Sequence, residues 1–167
     1  SVAPHGDMLL FHLEDNLTSV TLQFLNCLYG VVQLSVDLVK LNSEQAEIIT
    51  FWLDYQMRNQ KVLLHQDFVA LNPHLGYNFL GAGSNDKWIL TSYQTDQVIH
   101  LDKSFMAKQV DIINASLSNY LIIATDDFLE EVAFEIFNLK GQKVDQGQLK
   151  LTAIQKIEVP ACGLLVL

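Results

Sequence analysis

The best polar cluster in the sequence is His5-Gly6-Asp7, with His12 nearby. A carboxylate at the C-terminal end of a parallel strand stands where substrate-contacting groups gather, which makes Asp7 the candidate substrate-binding residue. His5, Asp7 and His12 together would instead suit a metal ion, since imidazole nitrogen and carboxylate oxygen are ordinary ligands. The same residues also read as a solvated loop. The residue types alone leave all three readings open.

The other reactive side chains form no motif. His65, His74 and His100 are scattered, with no HxxxH or HExxH spacing. Gly81-Ala82-Gly83 lacks the Gly-Lys-Ser/Thr that completes a phosphate-binding loop, and no GxSxG elbow is present. Asp126-Asp127 with Glu130-Glu131 reads as a solvated acidic run between two strands. Tyr77, Trp88 and Tyr93 would either stack against the apolar faces of sugars or fill the core. No residue is assigned as catalytic, and no motif calls for a cofactor or a metal.

The elements that position these groups fall into two regions. Leu17, Val20, Thr21, Phe24, Leu25 and Leu28 recur at spacings of three and four, so residues 16–29 are predicted helical, with Gly30 as the stop. Residues 31–36 are β-branched and apolar, which predicts a strand covered on both faces. Asn42 or Ser43 caps the next helix, with Glu44 and Glu47 in its first turn and an apolar stripe running to about residue 64. This is a βα arrangement of the kind that builds a closed parallel barrel.

The pattern changes near residue 66. Asn72-Pro73, Gly76, Gly81 and Gly83 mark a loop-rich stretch. Strand-forming runs follow at 68–71, 87–93, 97–101, 109–114, 119–124, 132–138, 143–149, 153–159 and 163–167. Lys140-Gly141-Gln142 is a hairpin turn signal. Short strands with no helices between them predict an antiparallel β-sandwich.

Half of the 167 residues are hydrophobic and only 17% are charged, so a sizeable core is expected and disorder is not. The net charge of -9 gives no electrostatic footprint for nucleic acid, and no Lys/Arg cluster attracts an anionic membrane. No apolar run reaches the roughly 20 residues that span a bilayer. No basic segment precedes an apolar run as in a signal peptide. Cys27 and Cys162 stand far apart in no redox or metal motif and read as structural thiols in a reducing compartment, which gives a cytoplasmic expectation. Asn16-Leu17-Thr18 and Asn114-Ala115-Ser116 match the glycosylation sequon, a triplet that arises often by chance.

Three segments taken together resemble a known family. Asp7-Met8-Leu9-Leu10-Phe11, the run Gln23-Phe24-Leu25-Asn26-Cys27-Leu28-Tyr29-Gly30-Val31-Val32-Gln33-Leu34-Ser35-Val36, and Phe51-Trp52-Leu53 are similar to the end of the catalytic barrel in α-galactosidases of glycoside hydrolase family 36. Leu63-Leu64 and Asp111-Ile112-Ile113-Asn114-Ala115 continue the likeness into the family's C-terminal β-sandwich. The resemblance runs over most of residues 5–125. The sequence departs from the pattern in lacking a Trp near Phe11 and a Pro near Val32.

The resemblance implies a retaining hydrolase of α-galactosides. One carboxylate attacks the sugar and a second serves as acid and then base. In the family both lie on earlier barrel strands, so neither is assigned here, and Asp7 is the one residue placed at the barrel mouth. The expected fold class is an α+β fragment, with the last βα units of a (β/α)8 barrel over residues 1–66 and an antiparallel β-sandwich over 67–167. The expected partners are carbohydrate in the parent enzyme and either a second copy or the rest of the barrel, because an incomplete barrel has open sheet edges. Two alternatives stand beside this: a non-catalytic sandwich module that binds carbohydrate or a protein, with Tyr77, Trp88 and Tyr93 as an exposed row, and a structural relic of a split gene.

Overall fold

The computed structural model describes residues 8–9, 12–71, 78–105, 107–125, 131–151 and 153–167; the side chains of residues 8 and 71 are not described. The chain is a mixed α+β fold, mostly sheet. It opens with β1 (Met8–Leu9), α1 (Leu17–Asn26), β2 (Gln33–Leu34), α2 (Ser43–Arg58) and α3 (Gln60–His65). Ten strands follow: β3 (Asp67–Leu71), β4 (Phe79–Gly83), β5 (Lys87–Ser92), β6 (Val98–His100), β7 (Gln109–Asn114), β8 (Tyr120–Ala124), β9 (Glu131–Phe137), β10 (Lys143–Lys150), β11 (Ile154–Glu158) and β12 (Leu164–Val166).

Both long helices begin on asparagine caps. Asn16 accepts from the Ser19 amide at 2.9 Å, and Asn42 forms a full capping box with Gln45. The predicted helix 16–29 stops earlier, at Asn26. The predicted helix to residue 64 is divided at Asn59, whose side-chain amide donates to the Tyr55 carbonyl at 2.8 Å. A side chain that takes a backbone acceptor in this way competes with the helix ladder.

β1 and β2 pair in parallel, with α1 as the crossover between them. The strand predicted at 31–36 shortens to Gln33–Leu34 and is not covered on both faces. Val32, Leu34 and Val36 are half-buried, whereas Val31, Gln33 and Ser35 are exposed. Among the described residues, neither outer edge of this two-stranded sheet has a partner.

A seven-stranded sheet of order β10-β9-β12-β7-β5-β4-β3 forms the body of the fold, and a three-stranded sheet of order β11-β8-β6 faces it. Side chains alternate across the large sheet. Trp88, Leu90, Val110, Ile112 and Leu165 meet Ile99, Leu121, Ile123 and Ile157 of the small sheet. Ile89, Ile113 and Leu164 face the other way, into one cluster with Phe24, Leu25, Ile48 and Trp52 of the helices, and Leu9 of β1 joins it.

The sandwich is not antiparallel throughout. β5 pairs with β7 in parallel, and β6 with β8 likewise. The intervening strand crosses to the opposite sheet, so the chain returns in its original direction, as a parallel pair requires. The loop-rich stretch also contains a strand, β4. Its glycines make room: a Cβ on Gly83 would lie 2.5 Å from the Lys87 carbonyl oxygen and 2.6 Å from the Trp88 ring. Among the described residues, no helix is long and apolar enough to cross a membrane.

Candidate functional site

Two of the concavities among the described residues bring acidic and basic side chains together. The first lies where β1 and β2 end. The chain after each strand leads into a cavity of about 460 Å³ whose wall includes His12, Glu14, Ser35, Asp37 and Lys40. Asp37 caps a short 3-10 turn by accepting from the Val39 amide at 3.2 Å, and Lys40 pairs with it at 3.3 Å. Both partners of that ion pair are more than half exposed, so it contributes little. His12 donates its backbone N–H to Asp15 Oδ2 at 2.9 Å, and Leu38 and Val39 stand exposed beside it.

The second is the seam between α2 and the large sheet, a cleft of about 590 Å³. Its floor is Asp111 of β7, only 1% exposed. Tyr55 of α2 donates its hydroxyl to Asp111 Oδ2 at 2.6 Å, and Lys87 of β5 reaches the same oxygen at 2.8 Å. Gln109 donates to Oδ1 at 2.7 Å. Burial, and then the Asp111 charge, hold the Tyr55 phenol well above its usual range. The carboxylate is thus fully engaged and suits an anchor better than a nucleophile. Arg58, Glu135, Phe51 and Phe137 form the rim.

The hairpin between β9 and β10 closes one end of the seam. Trp52 Nε1 donates to the Leu139 carbonyl at 3.1 Å, and Lys140 reaches Glu44 at 2.6 Å. Gly141 sits at the turn with φ +76° against the ring of Phe51.

The sequence candidates fare unequally. Asp7 and His5 lie outside the described residues, as do His74, Tyr77, Asp126, Asp127 and Glu130. His12 lines the first cavity, while His65 and His100 are exposed on separate elements. Among the described residues, no three His, Cys, Asp or Glu side chains gather as a metal-binding group. Trp88 is 7% exposed and stacks edge-on against Phe105, while Tyr93 is half-buried and donates to the Leu25 carbonyl at 2.8 Å. These two therefore offer no exposed row. Asn114 of the second sequon is fully buried, its amide donating to the carbonyls of Ser118 and Val159, which leaves it closed to glycosylation.

No family model, curated protein or solved structure matches the chain. The seam cluster was missed in the sequence, although it left a signal there. Asp111 is a single acid between Val110 and Ile112-Ile113, in a run otherwise fit for a covered strand. A charge in such a place needs a buried partner.

Proposed function

We propose that this chain is the C-terminal part of a retaining glycoside hydrolase that acts on α-galactosides, and that it is not catalytic by itself. The observation that carries the reading is the parallel β1–α1–β2 unit. One side of β2 is covered, its other side is open, and both outer edges of the pair lack partners among the described residues. Two short parallel strands do not make a stable sheet alone. Further parallel strands, from the same polypeptide or another, would complete them as a barrel and cover the open side.

In a (β/α)8 enzyme, substrate is held at the C-terminal ends of the strands. The cavity beyond β1 and β2 occupies that end of this unit. The large sheet then serves as the platform on which the last helices dock, through Tyr55, Trp52 and the β9–β10 turn. Asp7 is a substrate contact on the resemblance alone: it precedes β1 in the chain, whereas the cavity at the strand ends is lined by residues that follow β1 and β2, and it lies outside the described residues. The attacking carboxylate and the acid/base would come from the strands that complete the barrel. Against the rival reading as a sugar-binding sandwich, Trp88 is buried and Tyr93 is half-buried with its hydroxyl on the Leu25 carbonyl, while Tyr77 lies outside the described residues.

Antibody against this chain tests the proposal. Passed over an extract of the source cells, it is expected to remove α-galactosidase activity together with the antigen. Full retention of activity in the antigen-free extract would overturn it.

A further inference from the structure

We infer that the seam cleft between α2 and the large sheet is a binding site for a small neutral polyhydroxylated ligand of monosaccharide size, separate from the cavity at the strand ends. Its volume of about 590 Å³ lies within the range of roughly 300–1,000 Å³ usual for small-molecule sites, which favour the junctions between structural units. The cleft brings two cations, Arg58 and Lys87, against two anions, Asp111 and Glu135. Each anion is already met by a lysine, Asp111 by Lys87 and Glu135 by Lys143 of β10, so among the described residues the lining holds no unpaired carboxylate for a cation. The cleft supplies donors together with the remaining lone pairs of these carboxylates, as a polyol needs.

The donors are arranged with capacity left over. An ammonium carries three N–H groups, and Asp111 Oδ2 takes one from Lys87, whose side chain is 20% exposed. Arg58 uses Nε on the Asp54 carbonyl at 3.3 Å, which leaves its terminal nitrogens for a ligand. Asp111, held by Tyr55 and Gln109 as well, fixes the position of Lys87. The rings of Phe51 and Phe137 add apolar wall, suited to the C–H face of a sugar. Because the site lies outside the strand ends, it stands or falls independently of the glycosidase reading.

The test is NMR titration of the full 167-residue chain with D-galactose, D-glucose and inorganic phosphate as separate probes. The side-chain amide of Gln109 is expected to shift saturably with a sugar, with a dissociation constant on the order of millimolar, and not with phosphate. Arg58→Ala, at an exposed rim position, is expected to weaken binding by about tenfold while the thermal midpoint is unchanged. Gln109→Ala guards against a fold-dependent result: it should weaken binding while the backbone spectrum stays native. No saturable shift with either sugar, or saturation by phosphate alone, would overturn the inference.

Discussion

Tyr55 of α2 and Asp111 of β7 are joined by a 2.6 Å hydrogen bond between two buried side chains, 56 positions apart in the chain. Lys87 shares the same carboxylate. This contact ties the helical segment to the sheet at a point where neither partner meets water. Removing the acceptor strands a cation and a hydroxyl together. Asp111→Ala should therefore cost about 3 kcal/mol. Tyr55→Phe should cost less, about 1.5 kcal/mol. Urea midpoints of the two variants check the order, and an unchanged midpoint for Asp111→Ala would show that the seam is held by other contacts.

Gly141 serves two needs at once. Its φ of +76° is left-handed, and a Cβ there would lie 2.1 Å from Phe51 Cδ2. Gly141→Ala should destabilise by about 2 kcal/mol or more. Adding Phe51→Ala relieves the clash and leaves the backbone strain, so the double variant should fall short of the sum of the singles. Strict additivity in a double-mutant cycle would contradict the contact.

Three tyrosines give the alkaline limit. Burial is the main cause that raises Tyr29, Tyr55 and Tyr93 above the ordinary phenol value of about 10. A folded value above the unfolded one means that the native state holds these protons more tightly. The stability they contribute is fully present below about pH 10 and is lost as pH rises beyond it. Phenolate absorbance should thus appear for these residues only together with loss of folded structure. Early, reversible ionisation of all five tyrosines in a folded chain would contradict their burial.

Cys162 should be chemically silent. It is fully buried, burial pushes its thiol up to about 12, and Sγ lies 3.8 Å from the Thr18 carbonyl. Reaction needs the thiolate. In a Cys27→Ser background, a thiol reagent near pH 8 should modify Cys162 at the rate of unfolding. Rapid modification of the native chain would contradict the packing.

Much of the sheet was legible because its strands alternate or run apolar between turn signals. Ile112-Ile113 and Ile122-Ile123 are such runs, and Gly141 marked its hairpin correctly. β4 was hidden because Gly81 and Gly83 read as loop residues, whereas their missing side chains let Leu90 and Trp88 pack. The parallel pairs β5/β7 and β6/β8 could not be read, since pairing direction follows from which sheet β6 joins. The break at Asn59 was hidden for a similar reason: its side chain takes a backbone acceptor inside an otherwise helical stripe. At the seam, Asp111 carried a visible signal, but its partners Tyr55 and Lys87 come from distant segments that only the fold brings together.

The central claim is that this chain completes a retaining α-galactosidase whose attacking groups lie elsewhere. The most direct measurement is the anomer first released from an α-galactoside by the native protein captured through this chain, followed by proton NMR beside the isolated 167-residue chain. The captured protein should release α-galactose first, and the isolated chain should release none. Release of the β-anomer first, no turnover by the captured protein, or turnover by the isolated chain would contradict the claim.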